Sequence, residues 1–395
     1  MRLYQKDVYC LNVNTRVKSV SGSVITLEDD LFFPEGGGQP CDLGTVSGVK
    51  VLDVQEDKKS GEVLIKVADA SEFAPGCEVF CELDWERRFR HMQMHCGEHI
   101  ISGAFFRLFG SENRGFHMDE EHITIDLWTE GGRELTAEEI AEAELESNRV
   151  IWQDLPVYTE YFDTKEEALR APLRKAIKAD EDISVVYVGD REAPADCCAC
   201  CGTHPSSAGQ VGLIKVIKAE KNKDMTRLFV KAGEPAFRDY VMRHSVLQTL
   251  SNTYTTDPEK LPANLAVAEE RNFSIRQELA AIKRGLLAQY FEELCSREYG
   301  VGLHVSSYPL LGPDDLQKLA LSMEEHFSGV LALVAEKQNT VILTSGGTPQ
   351  CGQLVRDYAP MYKGKGGGNP KLARAIFTNR DNLDLFLDLL EKHLR

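Results

Sequence analysis

Arg87-Arg88-Phe89-Arg90-His91-Met92-Gln93-Met94-His95-Cys96-Gly97-Glu98-His99 is the stretch from which the rest of the chain is read outward. Met92, His95 and His99, then Ile100 or Gly103, recur at steps of three and four, which predicts a helix within 86–110. His95 and His99 stand at i and i+4, so both rings leave one face of that helix a turn apart, where they can share a metal. Taken alone such a pair is weak evidence. The metalloprotease pattern H-E-x-x-H is absent, because Glu98 precedes the second histidine rather than following the first.

A second element lies far along the chain: Asp196-Cys197-Cys198-Ala199-Cys200-Cys201-Gly202-Thr203-His204. Four cysteines in five residues, followed by a histidine, are hard to explain as core packing. Cys200 and His204 again stand four apart, and two such pairs offer the four N/S donors that Zn²⁺ prefers. Cys197, Cys198 and Cys201 compete with Cys200 for the fourth position.

Around these elements the chain divides by pattern. Residues 1–85 alternate apolar and polar between Gly, Pro and Asp turns, as in 23–28 and 62–67, and predict a small β-barrel or a strongly curved sheet. A metal-binding α/β region follows over 86–233, with a helix across 136–151 and strands near 122–127, 183–188 and 211–217. Glu234-Pro235 opens a helical arm, 234–298, with helices over 235–253 and 263–295 separated by Asp257-Pro258 and Pro262. Ile275, Leu279, Ile282, Leu286, Tyr290 and Leu294 keep an apolar stripe on the second helix, the mark of a hairpin or short coiled coil. Residues 299–395 form a last α/β unit: strands within 329–334 and 340–344, a glycine loop, and a closing helix from about 381. The expected class is α+β.

Composition narrows the function classes. Hydrophobic residues at 43% and charged residues at 27% match a globular protein. No apolar run approaches the roughly 20 residues that span a bilayer, and residues 1–14 lack a secretory signal, so a cytoplasmic protein is expected. Eleven cysteines with no export signal argue for metal ligands or buried thiols rather than disulfides. A net charge of −17 opposes nucleic-acid binding in general. Basic residues nonetheless gather at Lys215, Lys218, Lys221, Lys223, Arg227 and Lys231, and again at Lys363, Lys365, Lys371 and Arg374.

Three separated motifs resemble those of the stand-alone alanyl-tRNA editing proteins, relatives of the editing and C-terminal parts of alanyl-tRNA synthetase. Phe32-Phe33-Pro34-Glu35-Gly36-Gly37-Gly38-Gln39-Pro40-Cys41-Asp42-Leu43-Gly44 is similar to the family's glycine-rich barrel motif. Arg87 to His99 is similar to its zinc helix, and Cys200-Cys201-Gly202-Thr203-His204 to its C-G-G-T-H motif, with Cys201 in place of the first glycine. Phe116-His117-Met118 with Thr124 to Leu127, and Asn148 to Val157, agree as well. Gly364-Lys365-Gly366-Gly367-Gly368-Asn369-Pro370 resembles the glycine loop of the DHH-associated domain that ends the longer members, which makes 299–395 a domain of that kind.

The resemblance implies an editing domain over 86–233 and hydrolysis in trans of mischarged tRNA(Ala): Ser-tRNA(Ala) chiefly, with Gly-tRNA(Ala) as a second substrate. It implies Zn²⁺ on His95, His99, Cys200 and His204. Gln39 would orient the substrate or the attacking water, and Gly36, Gly37 and Gly38, with His117, would approach the terminal adenosine and aminoacyl group. Asp30 stands where many relatives carry a hydroxyl residue facing the pocket, and is a second catalytic candidate. Lys365, Gly366, Gly367 and Gly368 would contact tRNA phosphates or else form a packing turn. A homodimer through the helical arm or the C-terminal domain is the expected assembly. Two rivals stay open: a Ser-tRNA(Thr) deacylase, and a non-catalytic tRNA-binding protein braced by structural zinc.

Overall fold

The structure is a computed structural model that describes residues 1–177, 179–323 and 329–395. In chain order its elements are α1 (Leu3–Lys6), β1 (Asn12–Ser21), β2 (Val24–Leu27), β3 (Gly44–Val46), β4 (Val49–Glu56), β5 (Val63–Val67), β6 (Glu78–Leu83), α2 (Trp85–Phe109), β7 (Glu112–Met118), β8 (Ile123–Trp128), α3 (Ala137–Trp152), β9 (Val157–Thr164), α4 (Lys165–Ala168), β10 (Glu181–Val188), β11 (Asp196–Ala199), β12 (Ile214–Asn222) and β13 (Met225–Ala232). These are followed by α5 (Glu234–Tyr254), α6 (Leu261–Cys295), β14 (Leu303–Tyr308), α7 (Pro313–Ser322), β15 (Val330–Ala335), β16 (Thr340–Ser345), α8 (Cys351–Tyr358), β17 (Lys365–Gly368), β18 (Leu372–Ile376) and α9 (Arg380–His393). The architecture is α+β. By contacts the chain divides into two units, Met1–Leu250 and Ser251–Arg395.

In the first unit the N-terminal strands close into a six-stranded barrel in the order β1-β2-β5-β4-β3-β6, with β6 returning to β1. Alternation places Val17, Ile25, Val54, Ile65 and Cys81 inside, with Leu31 and Phe32 plugging the core. The other strands of this unit form the sheets β11-β10-β9 and β12-β13-β8-β7. α2 starts where the Asp84 side chain caps Arg87 N at 3.1 Å and stops at Gly110 in the left-handed conformation. It is buried along most of its length, with Met94, Ile100, Ala104 and Phe105 packing against Ile123, Ile125, Leu228 and Val230. That burial on several sides fixes the helix, and with it His95 and His99, rigidly.

The second unit holds the five-stranded sheet β14-β15-β16-β18-β17, with β14 and β15 parallel and the other pairs antiparallel. Here one expectation needs correcting. The glycine run read as a loop is, over Lys365–Gly368, the edge strand β17. α8 approaches that strand so closely that a side chain on Gly352 would strike the Gly368 carbonyl, so much of the glycine content answers to packing. Among the described residues no helix is long and apolar enough to cross a membrane.

His91, one turn before His95, is fully buried, and among the described residues neither ring nitrogen has a hydrogen-bond partner. Burial, reinforced by Arg87, pushes its pKa down to about 4, although Glu120 lies 3.7 Å away. The unfolded chain should therefore bind a proton near pH 6.5 that the folded chain refuses until about pH 4. Stability from this group is complete above pH 6.5 and lost as pH falls towards 4, by up to about 3 kcal/mol at 1.36 kcal/mol per pKa unit. His91→Leu is expected to flatten that acid limb. Urea unfolding of metal-free protein at pH 7 and pH 4.5 measures it, and an equal loss in both proteins would refute the assignment.

Candidate metal centre

His95 and His99 come from α2, and Cys200 and His204 from the loop after β11. One donor atom from each of the four lies within 4.8 Å of the others. Cys200 Sγ is 3.3 Å from His95 Nε2 and 3.4 Å from His204 Nε2. A tetrahedral ion with bonds of about 2.0 Å to nitrogen and 2.3 Å to sulfur has donor separations of this order, so the group can hold a metal ion. Burial opposes a thiolate at Cys200, but His95 and His204 outweigh it and hold the thiol well below its ordinary pKa. His204 is pushed down to about 4, mainly by burial, and so presents a neutral ring. One thiolate among imidazoles suits a borderline-soft divalent cation.

The rings are held from behind. On one side His99 Nδ1 meets Asp196 Oδ2 at 2.8 Å, and Asp196 Oδ1 accepts from Arg174 Nε at 2.5 Å. Arg174 also lies 3.9 Å from Glu98, whose carboxylate accepts from Ser102 and Asn113. Burial disfavours an imidazolium at His99, yet Asp196 and Cys200 overcome it and raise its pKa well above the usual value. On the other side Gln39 Oε1 accepts from His95 Nδ1 at 2.9 Å and from Thr203 N at 3.1 Å, while Gln39 Nε2 donates to Thr203 Oγ1. These bonds fix the Nδ1–H tautomer and leave Nε2 for a metal. Asp196→Asn is expected to weaken metal binding 10- to 100-fold in the manner of lost outer-shell partners. A competitive zinc titration that finds unchanged affinity would remove Asp196 from that role.

The motif residues sort clearly. Gln39 is fully buried with its carboxamide engaged, so it positions His95 rather than facing a substrate. Gly202 is required because a side chain there would collide with the His95 ring and Gln39. Cys201 points elsewhere, its Sγ packed over Gly36 and Gly37, and it stands outside the donor cluster. Cys197 and Cys198 are buried thiols raised to about 12 and about 11, first by burial, and also stand outside it. Gly38, at φ 85°, lies against the ring of Phe116, which stacks on His95 at 5.3 Å.

His117, the next residue on β7, is exposed; strand alternation gives the inward position to Phe116, which sequence reasoning passed over. Asp30 is not part of the donor group; its carboxylate is 3.7 Å from Arg2 Nε and its carbonyl accepts from Tyr4 N. Tyr4 helps line a cavity of about 40 Å³ together with Tyr161, Ser184, Cys200, Gly202 and His204.

The two basic stretches differ. Of the six residues in the first, Lys215, Lys218, Lys221, Arg227 and Lys231 pair with Glu144, Glu220, Glu134, Asp126 and Asp239 respectively, which leaves a largely neutralised face. In the second unit a cleft of about 710 Å³ is lined by Arg356, Lys363, Lys365, Gly364, Gly366 and Thr378, with no carboxylate in its wall. Arg374 is paired with Asp314 at 3.1 Å.

Comparison with known proteins fits this geometry. Residues 183–229, which include Cys200 and His204, match the profile of the threonyl and alanyl tRNA synthetase second additional domain, and residues 301–395 match that of the DHHA1 domain. The alanyl-tRNA editing protein AlaX-L of Pyrococcus horikoshii is 29% identical over 100% of this chain and 99% of its own length. By sequence, the chain is thus similar along its whole length to an alanyl-tRNA editing protein. The alanine–tRNA ligase of Pyrococcus abyssi is 29% identical over 94% of the chain but only 41% of the ligase, and that of Pyrobaculum neutrophilum 35% identical over 58% and 26%. The chain therefore spans well under half the length of these ligases, while it matches the editing protein end to end.

Proposed function

We propose that this chain is a trans-editing hydrolase that deacylates mischarged tRNA(Ala), Ser-tRNA(Ala) first and Gly-tRNA(Ala) second, with Zn²⁺ on His95, His99, Cys200 and His204. The observation that carries the reading is the preorganised His₃Cys donor group within a chain that matches an alanyl-tRNA editing protein along its whole length. A pocket that accepts alanine rejects glycine or serine by only about 1–3 kcal/mol, so a second hydrolytic site is needed. Bound zinc supplies polarisation of a carbonyl or the fixed shape of the pocket.

The chain's own groups do the rest. Gln39 and Asp196 hold the ligand rings in register. Gly38 and Phe116 provide a flat apolar wall beside His95, suited to a base or an ester. The small cavity bordering Cys200 and His204 would, in this reading, receive the seryl hydroxymethyl group. Arg356, Lys363 and Lys365, which line the cleft of the second unit, would offer cations to tRNA phosphates.

The test is deacylation of Ser-tRNA(Ala), Gly-tRNA(Ala), Ala-tRNA(Ala) and Ser-tRNA(Thr) by purified protein, before and after removal of metal. Loss of serine and glycine from tRNA(Ala), with Ala-tRNA(Ala) spared, is expected. Hydrolysis of Ser-tRNA(Thr) alone would transfer the activity to threonine editing. Inert protein that still binds tRNA would leave zinc as a brace and end the hydrolase reading.

A further inference from the structure

We propose that Cys201 is a positioning residue for the hydrolysis, holding the tip of the glycine turn 36–39 in register with the donor group. The proposal rests on the deacylase reading above and adds to it a side chain outside that group. Gly36 N donates to Gln39 O at 3.1 Å and Gln39 N to Gly36 O at 2.9 Å, which closes a turn with two residues at its tip. Those residues, Gly37 and Gly38, have φ of 58° and 85°, the pair of left-handed conformations that the tightest hairpin turns demand. The tip is gripped from two sides. A β-carbon on Gly38 would lie 2.5 Å from the Phe116 ring, and one on Gly37 would lie 2.9 Å from Cys201 Sγ. Beyond the chain neighbours of Gly37, no other described atom comes within 4 Å of that second point, so Cys201 alone bears on it.

Both sides of the grip are tied to the donor group. Phe116 stacks on the His95 ring at 5.3 Å. Cys201 lies between the donor Cys200 and Gly202, which packs against His95 and Gln39. The backbone that carries Sγ is thus placed by the donors, and the turn takes its position from them. Gln39, at the end of the turn, completes the ring of contacts by accepting from His95 Nδ1 and Thr203 N. Cys201 also stands in the wall of the small cavity beside Cys200 and His204, so it borders the space that the reading above gives to the aminoacyl group. The residue as a whole is exposed, so the core does not call for its side chain. An ester lying on a displaced tip would be misplaced, and an error of about 1 Å costs on the order of 100-fold in rate.

Steady-state hydrolysis of Ser-tRNA(Ala) by Cys201→Ala, Gly37→Ala and the double variant tests this, with zinc content and circular dichroism followed on each. Cys201→Ala is expected to lower kcat about tenfold with KM and zinc stoichiometry unchanged. Cys201→Ser, which keeps a heavy atom over Gly37, should recover most of that loss. In Gly37→Ala the new methyl meets Sγ, and kcat should fall about 30-fold. With Sγ already removed, the same methyl should cost no more than about threefold, a coupling of about tenfold. The strain of a side chain at φ 58° is common to both backgrounds and cancels from that comparison. Independently of turnover, Gly37→Ala should dislodge Sγ and speed the labelling of Cys201 by N-ethylmaleimide several-fold, as read by mass spectrometry. An equal effect of the methyl in both backgrounds, a loss confined to KM, or an unchanged labelling rate would each overturn this role and leave the deacylase reading standing. Unsubstituted protein that spares Ser-tRNA(Ala) would overturn both.

Discussion

His99→Ala is expected to cost the protein its zinc and its deacylase activity together. The ring of His99 sits on the most heavily supported side of the donor group, fixed by Asp196, which is fixed in turn by Arg174. Four-donor zinc sites in small domains bind with about 10–16 kcal/mol, roughly 3 kcal/mol per donor, so deleting one should lower affinity by at least about 100-fold. Asp196 and Arg174 would then face a cavity with no imidazole to hold. Zinc stoichiometry and Ser-tRNA(Ala) hydrolysis should be measured on the same preparation. Cys201→Gly is the matched control: its Sγ lies over Gly36 and Gly37, so zinc stoichiometry should stay at the unsubstituted level. Full zinc occupancy in His99→Ala would place the ion elsewhere. Loss of zinc with hydrolysis retained would reduce the ion to a structural part.

What could be read beforehand, and what could not, follows from the range of the interactions concerned. The helical spacing of His95 and His99 and the clustering of Cys200 with His204 are local, so the four donors were visible as residues before the fold brought them together. The capped helix α3 begins at Ala137, one residue inside the expected 136–151, because Thr136 and Glu139 form a capping box that the sequence displays. Asp196 and Arg174 were not legible as the support of His99. A carboxylate ahead of a cysteine run, and an arginine 22 residues earlier, acquire meaning only when β11 passes behind α2. Phe116 was hidden by its neighbour: His117 bears the more suggestive side chain, and only the β7–β8 register shows which one faces inward. The glycines of β17 misled for a different reason. Glycine answers both to turns and to close backbone packing, and composition does not separate the two.

The buried pair Arg88–Asp42 joins the two halves of the site and should be the costliest ionic contact to break. Both side chains are fully buried. Asp42 Oδ2 accepts from Arg88 Nε at 2.8 Å and from Phe33 N at 2.6 Å, and Arg88 also donates to the carbonyls of Val8 and Leu31. One guanidinium in the first turns of α2 thus grips the barrel segment 31–42, whose Gln39 orients His95. Asp42→Ala leaves that cation buried and unpaired, and is expected to destabilise the protein by about 3–5 kcal/mol. Arg88→Met strands the carboxylate at a similar cost. The double variant Asp42→Leu with Arg88→Met removes both charges, so it should recover much of the stability while losing the grip on the glycine motif. Urea unfolding of all three, alongside zinc affinity, separates the two roles. If the double variant regains stability and binds zinc as tightly as the unsubstituted protein, the pair serves the fold alone. If stability returns and zinc affinity stays low, the pair exists to hold Gln39 against His95, and the buried charge is kept for the site rather than for the fold.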